Sequence, residues 1–261
     1  MATLAAVYDA QPAPRRPHDV IAVPGGRVGD RKPRPGPQAV NTWLTGSIVK
    51  NPGAVIEAAF AQADARDPSH ERTWIVLVDG DHHQIERVRA EAARRRAAVH
   101  IVLDVVHVLE YLWTAAWCLH TAADPAAEDW VAARALQILA GHALQAADTI
   151  QTETDAAALA PDRRGGTDAA VRYLRGHAEF LCYDIALARG WPIATGVIEG
   201  AARHIVADRL EITGARWGLT GAEAILTLRT LINNGDLETY WQYHLTREHQ
   251  RIHPNDHQVA A

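Results

Sequence analysis

Two short apolar runs form the clearest hydrophobic pattern in this chain, Trp74–Val78 and Val99–Leu103. Each run is rich in β-branched residues and stops at an aspartate, Asp79 after the first and Asp104 after the second. Continuous apolar runs of this length are typical of strands buried on both faces of a parallel sheet. The polar segment between them, 84–96, carries apolar residues at helical spacing. The pattern therefore predicts a strand–helix–strand unit with an acid at the carboxyl end of each strand, the edge where open α/β sheets bind their ligands.

Weaker patterns extend this unit toward the N-terminus. Thr3–Tyr8, which is followed by Asp9, predicts a short strand, and Trp43–Ile48 indicates another. Pro52–Arg66 has the apolar face of an amphipathic helix. The segment 11–37 is basic and rich in proline and glycine, so it predicts a loop that buries no core. Two interpretations of that loop stay open, a flexible connection and a contact with the DNA backbone.

The remaining pattern is helical. Val105–Leu119 carries a wide apolar stripe, and residues 124–189 are alanine-rich without strand signals. This second segment begins at Asp124-Pro125, a good helix start, and is broken near Asp162–Gly166. It predicts a helical domain inserted after the last strand. Three further helices are expected at about Gly196–Leu210, Thr220–Asn233 and Leu237–Glu248, with a connector at Thr213–Gly218. The expected parts are a partial core with its basic loop (1–123), the insertion (124–189) and C-terminal helices that complete the core (190–261).

Composition narrows the classes of protein. The 48% of hydrophobic and 22% of charged residues are ordinary for a soluble globular protein, and no apolar run approaches the roughly 18 residues of a membrane helix. Cys118 and Cys182 stand in apolar helical settings, which indicates reduced thiols. Together with the lack of a signal peptide, this predicts a cytoplasmic protein without a membrane partner. The net charge of -5 weighs against nucleic-acid affinity over the whole surface and leaves only local basic patches.

Four residues combine ionisable side chains with strand or helix ends. Asp79 precedes Gly80 and is suited either to hold a hard cation such as Mg²⁺ or to cap the next helix. Asp104 and His107 lie three residues apart at a helix start, as a metal pair or as an N-cap with a first-turn histidine. Glu199, among apolar and glycine residues, is either stabilised by the helix dipole or turned into a site.

Two longer stretches carry a resemblance to a known family. The first runs from Trp74-Ile-Val-Leu-Val-Asp-Gly-Asp81 through Ile101–Trp113, which contains Asp104-x-x-His107. The second runs from Gly190–Gly200, which contains Gly-Val-Ile-Glu-Gly, through Ile212–Gly218. With the helical insertion between them, they resemble the DDE transposases of ISKra-type insertion sequences, which are related to the Mutator type and have a ribonuclease-H-like core. The ending, Leu231-Ile-Asn-Asn-Gly-Asp236, also fits the family. The resemblance covers nearly the whole chain.

The resemblance implies a fold, a reaction and residue roles. It implies a ribonuclease-H-like α/β core with an all-helical insertion before the helix of the catalytic glutamate. Asp79 would be the second and Glu199 the third catalytic carboxylate, both as metal ligands, while Asp104-x-x-His107 would be the catalytic signature that follows the second aspartate. Two Mg²⁺ ions would then support cleavage and transfer of DNA strands at insertion-sequence ends and target DNA, by a homo-oligomer. Asp79 and Glu199 would have to converge at one sheet edge.

A DNA-facing surface is expected beside this site. It would consist of Arg203, Arg209, Arg216 and Trp217, since arginine grips phosphates with a planar fork and an exposed tryptophan stacks on a base. The alternative for Trp217 is a place packed under the C-terminal helices.

The sequence also departs from the family. The family's first catalytic aspartate lies upstream of the segment that resembles Met1–Asp9, and Asp9 matches the second strand instead. We therefore expect an incomplete fragment that is inactive by itself. Two alternatives stay open: a non-catalytic DNA-binding or regulatory remnant of such a transposase, and an unrelated hydrolase or phosphotransferase that uses Asp79 and Asp104.

Overall fold

The computed structural model describes residues 2–22, 32–121, 123–210 and 216–253. These residues form a mixed α/β structure that is predominantly helical, with two small sheets, and the predicted α/β class is confirmed at that level. The chain divides into two compact units. Unit 1 contains residues 1–9, 40–68 and 196–261, and unit 2 contains residues 10–39 and 69–195.

The strands are β1 (Thr3–Ala10), β2 (Ala39–Ser47), β3 (Trp74–Val78) and β4 (Val99–Leu103). The helices up to the insertion are α1 (Pro17–Val20), α2 (Pro52–Arg66), α3 (His82–Arg95) and α4 (Val105–Leu119). The insertion contains α5 (Pro125–Leu139), α6 (Ala143–Ala156), α7 (Gly165–Gly176), a 3₁₀ turn (Ala178–Phe180) and α8 (Tyr183–Arg189). The C-terminal part contains α9 (Gly196–Ala201), a π-helical segment (Ala202–Ala207), α10 (Asp208–Leu210), α11 (Leu219–Asn234) and α12 (Leu237–Ile252).

The predicted strand–helix–strand unit is confirmed in unit 2. Strands β3 and β4 pair in parallel, in a register that sets Val78 opposite Leu103. Helix α3 connects them; the side chain of Asp81 caps its start by accepting a hydrogen bond from Gln84 N at 2.8 Å. The ladder continues one step past the strands, since Asp104 N donates to Val78 O at 2.8 Å. Asp79 and Asp104 therefore follow adjacent parallel strands at the same edge of this sheet.

The helical insertion belongs to the same core as this sheet. Helix α4 buries Leu112, Ala115 and Ala116 completely, and α7 packs along it. The two helices approach so closely that a Cβ atom on Gly166 would lie 2.4 Å from Thr114 O. Leu174 of α7 is also fully buried. The insertion thus forms a layer continuous with the helix that follows β4.

Unit 1 is built on the pair β1–β2 and on the C-terminal helices. Its core contains Leu44, Ala201, Ile205 and Leu226. Helix α11 also binds β2 through a polar side chain. Asn234 Oδ1 accepts a hydrogen bond from Leu44 N at 2.8 Å, and Asn234 Nδ2 donates one to Leu44 O at 2.9 Å. These two hydrogen bonds occupy the main-chain N–H and C=O groups of Leu44 in β2.

The basic loop differs in part from a flexible connection. Its early residues dock on the end of α8, since Ala13 N donates to Gly190 O and Arg15 N donates to Leu187 O, both at 3.0 Å. Arg15 also donates to Trp191 O at 3.1 Å. Residues 23–31 of this loop and residues 213–215 of the expected connector lie outside the described residues.

Helix and strand bounds shifted in a few places. Strand β1 runs to Ala10 instead of Tyr8, β2 begins at Ala39 instead of Trp43, and α12 extends to Ile252. Among the described helices, none has the length together with the apolar character that crossing a bilayer requires.

Candidate active site at the carboxyl edge of the parallel strands

Asp79 occupies a sharp turn directly after β3. Its carboxylate is exposed, and Oδ1 accepts a hydrogen bond from Asp81 N at 3.1 Å. Gly80 has a φ of +101°, a conformation that side chains of L-residues rarely adopt. Because Asp81 caps α3, the cap proposed as the alternative role of Asp79 is filled by another residue. Asp79 thus presents an acidic side chain to solvent at the edge of the sheet.

Helix α7 of the insertion holds this turn by two side chains. The hydroxyl of Tyr173 donates to Asp79 O at 3.1 Å, and His177 Nε2 lies 2.9 Å from Gly80 O. The other ring nitrogen of His177, Nδ1, lies 2.9 Å from Tyr173 O. A Cβ atom on Gly80 would lie only 2.9 Å from the Tyr173 hydroxyl. The turn thus requires glycine both for its conformation and for its contact with α7.

Stacked rings support the same contact. Tyr111 stacks on Tyr173 with ring centroids 4.0 Å apart, and His82 stacks on His177 at 4.8 Å. Tyr173 and His177 are 7% and 6% exposed. Burial raises the pKa of Tyr173, and the nearby negative groups, including Asp79, raise it further. The phenol is therefore neutral at ordinary pH and serves the turn as a hydrogen-bond donor.

Asp104 is fully buried, caps α4 and also binds Thr195; we call the link to Thr195 the latch. Its Oδ1 accepts from Val106 N at 2.8 Å, the N-cap bond of α4. Its Oδ2 accepts from Thr195 N at 3.0 Å and from the Thr195 hydroxyl. Beside it, Val105 N donates to Ile193 O at 2.9 Å. Both carboxylate oxygens are occupied by protein donors, which supports the capping interpretation over the metal pair with His107.

His107 lies in the first turn of α4, as expected, and remains accessible. Its side chain is 40% exposed, and Nδ1 lies 2.9 Å from Glu110 Oε2. The ring thus faces a carboxylate one turn along its own helix, and this partner is Glu110 instead of Asp104. A direct role for His107 therefore stays a prediction.

Glu199 lies in the first turn of α9 and is exposed. The π-helical segment Ala202–Ala207 follows directly. Such segments are rare and occur frequently at functional sites. Glu199 belongs to unit 1 and Asp79 to unit 2, so their convergence stays a prediction. Across the described ranges, no group of three or more His, Cys, Asp or Glu residues is arranged to hold a metal ion.

The predicted DNA-facing residues are solvent-accessible in unit 1. Trp217 is 43% exposed, and its Nε1 donates to Arg209 O at 3.1 Å, which brings the two residues together. Arg203 and Arg216 are exposed. None of the three arginines forms an ion pair with another residue of the described part of the chain. Trp217 also lies 3.8 Å from where a Cβ atom of Gly221 would be, so one edge rests against the start of α11.

The sequence pattern did not indicate a functional role for Tyr173, His177 or Thr195. The first two are aromatic or heteroaromatic residues four apart on one helix face, a spacing that normally indicates core packing. Thr195 lies 91 positions from Asp104, and nothing local to either residue predicts their contact. No protein-family model, curated protein or solved structure matches the chain.

Proposed function

We propose that this chain contributes the catalytic region of an insertion-sequence DDE transposase, which cleaves and transfers DNA strands with two Mg²⁺ ions. The observation that carries the proposal is the Asp79 carboxylate, which is exposed at the carboxyl end of a parallel strand. Asp79 does not cap α3, because Asp81 does so. A carboxylate at such an edge, on a turn held by two side chains, is a suitable ligand for a hard cation.

Glu199 supplies the second acid of the proposed site. It is exposed in the first turn of α9, beside a π-helical segment of the kind found at functional sites. In the complete site, one ion would activate the attacking hydroxyl and the other would stabilise the leaving oxygen. Asp79 and Glu199 offer carboxylate oxygens that Mg²⁺ prefers, whereas the oxygens of Asp104 are already occupied by Val106 and Thr195.

The same occupancy favours the proposal over one alternative. A hydrolase or phosphotransferase that used Asp79 with Asp104 would require Asp104 to leave its cap and its latch. That change would leave the N–H groups of Val106 and Thr195 without their carboxylate. The other alternative, a non-catalytic remnant, would not need a metal site. An experiment on metal binding therefore distinguishes it from the proposed enzyme.

DNA would be held by the surface of Arg203, Arg209, Arg216 and Trp217. The three arginines are exposed and could bind phosphates, and Trp217 offers an accessible ring for stacking. A homo-oligomer on DNA and the cytoplasmic location belong to the same proposal, through the family resemblance.

Metal-directed cleavage of the chain tests the metal site. Fe²⁺ bound in place of Mg²⁺ produces hydroxyl radicals, with ascorbate and peroxide, that cut the backbone beside the ion. We expect cuts near residues 79 and 199 that added Mg²⁺ suppresses, and we expect Asp79→Asn or Glu199→Gln to remove both cuts together. Asp124→Asn, at the start of α5, is the matched control and should leave both cuts unchanged. Two cuts that vanish independently, or the absence of cuts, would refute a shared metal site.

DNA binding is tested by fluorescence anisotropy at several salt concentrations. Replacing Arg203, Arg209 and Arg216 with alanine should weaken binding and reduce its salt dependence, because each lost phosphate contact removes counterion release. The charge-matched control replaces the exposed arginines of unit 2, namely Arg87, Arg163 and Arg172. Equal losses in both triple variants would show that binding follows net charge instead of this surface.

A further inference from the structure

We propose that Tyr173 and His177, both contributed by the helical insertion, are positioning residues that aim the Asp79 carboxylate by holding the two carbonyl groups of the Asp79–Gly80 turn. This inference rests on the proposed metal-binding role of Asp79. Neither residue is assigned that role by the family resemblance or by the motifs of the sequence.

Tyr173 and His177 together form a clamp on the turn. The geometry of the peptide bond links this clamp to the Asp79 carboxylate. The Gly80 carbonyl and the Asp81 N–H belong to one planar trans peptide and point in opposite directions. His177 holds the carbonyl oxygen at 2.9 Å, and the N–H on the other side bonds Asp79 Oδ1 at 3.1 Å. Holding the Gly80 carbonyl thus fixes the donor that orients the Asp79 side chain.

Tyr173 holds the preceding peptide in the same way. Its hydroxyl donates to Asp79 O at 3.1 Å, so the peptides on both sides of Gly80 are anchored to α7. Glycine loses more conformational freedom on ordering than any other residue, and its φ of +101° belongs to a region it enters and leaves easily. A turn of this kind keeps one conformation only when outside contacts define it. The two α7 side chains supply those contacts.

The clamp is itself rigid. Tyr173 and His177 are buried and lie one helical turn apart at the end of α7, with ring centroids 4.6 Å from each other. Tyr111 of α4 stacks on Tyr173, and His82 of α3 stacks on His177. Rotation of either ring would therefore disturb a ring on another helix, α4 for Tyr173 and α3 for His177. Side chains that are fixed by packing in this way are suited to position a ligand group.

Paired variants separate positioning from stability. Tyr173→Phe removes the hydroxyl that holds Asp79 O and keeps the ring. Tyr183→Phe is its control, because the Tyr183 hydroxyl donates at 2.9 Å to Leu103 O, at the end of the neighbouring strand. His177→Gln places an amide donor where Nε2 lies and keeps the bond to Gly80, whereas His177→Asn is too short to reach it.

Two measurements are made on each variant of the full chain. Amide hydrogen exchange at Asp81, followed by NMR, reports the bond to Asp79 Oδ1 without any metal. The Fe²⁺ concentration for half-maximal cutting near residue 79 reports how well the carboxylate binds. We expect Tyr173→Phe and His177→Asn to speed exchange at Asp81 and to raise that concentration about five- to tenfold, as the loss of roughly one hydrogen bond predicts. Tyr183→Phe and His177→Gln should remain close to the unchanged chain in both.

The outcomes distinguish this inference from the proposed function. If His177→Asn equals His177→Gln, or Tyr173→Phe equals Tyr183→Phe, in metal affinity, the positioning role is overturned although the metal site stands. Faster exchange with unchanged metal affinity also overturns it, since the clamp is then structural only. If the unchanged chain shows no metal-directed cut near residue 79, the proposed function fails and the positioning role falls with it.

Discussion

Asp104 offers the sharpest test of how this edge is assembled. Its carboxylate caps α4 through Val106 N and also binds the N–H and hydroxyl of Thr195. Asp104→Ala removes the cap, which costs about 1 kcal/mol. It also removes two hydrogen bonds to a charged acceptor, each contributing roughly 1–1.5 kcal/mol because Thr195 is only partly buried and water can replace part of the loss. We expect the free energy of unfolding of unit 2 to fall by about 3–4 kcal/mol.

Asp124→Ala is the matched control. Asp124 caps α5 through Ala126 N at 2.9 Å, the same local bond without the link to a distant residue. It should cost about 1 kcal/mol. The difference between the two alanine variants therefore measures the latch to Thr195. The stability loss of Asp104→Asn should lie between those of the two alanine variants. The amide oxygen of the asparagine can still accept from Val106 N, but its NH₂ group is a donor that faces the Thr195 N–H, which is also a donor.

Native-state hydrogen exchange is the suitable assay, because it assigns the lost stability to particular elements in a chain with two compact units. Protection in α4 and at residues 193–195 should drop together in Asp104→Ala. Thr195→Val should reproduce part of that drop and add little when combined with Asp104→Ala, since the two residues share one interaction. If Asp104→Ala costs no more than Asp124→Ala, the contact with Thr195 is energetically irrelevant and the latch is refuted.

Two further predictions concern the turn and the helix beyond it. Gly80→Ala should destabilise unit 2 by about 1–3 kcal/mol in chemical denaturation, because alanine is strained at a φ of +101° and its Cβ would meet the Tyr173 hydroxyl at 2.9 Å; an unchanged midpoint would contradict this. Hydrogen bonds from Arg94, with further help from Arg95, lower the pKa of Glu91 from 4.5 to about 2. Because the folded pKa is the lower one, the stabilisation is complete above about pH 4.5 and is lost as the pH falls through about 2. Glu91→Gln should therefore cost about 0.5–1 kcal/mol at pH 7 and nothing below pH 2, and a cost independent of pH would show that the charge is not responsible.

The sequence predicted β3, β4 and α4 at their observed bounds because a short continuous apolar run and a helical apolar stripe are local signals. The bounds of β2 were less accurate. Residues 39–42 lack an apolar run, and β2 is bound in part by Asn234, 190 positions away from its partner Leu44. Hydrogen bonds of that kind leave no trace in local periodicity. The edge of a strand is therefore set by partners that the pattern does not contain.

In the candidate site as well, local patterns predicted some features and distant contacts determined others. The position of Asp79 after β3 followed from the pattern, but its neighbour Asp81 is the residue that caps α3. In Asp-Gly-Asp, either aspartate satisfies the preference for a cap, and only the turn at Gly80 decides between them. Tyr173 and His177 could not be predicted because they lie 94 and 97 positions from the carbonyls that they bind.

The packing of α7 gives the helical insertion a mechanical connection to the candidate site. One face of this helix is locked against α4, where Gly166 permits backbone contact with Thr114 and Leu174 is fully buried. The end of the helix carries Tyr173 and His177 onto the Asp79–Gly80 turn. A close-packed interior transmits a displacement instead of absorbing it, so a shift of α7 along α4 has to move the turn as well. The insertion and the strand that carries Asp79 therefore constrain each other, and the geometry of the acid depends on the core of the insertion as much as on the sheet.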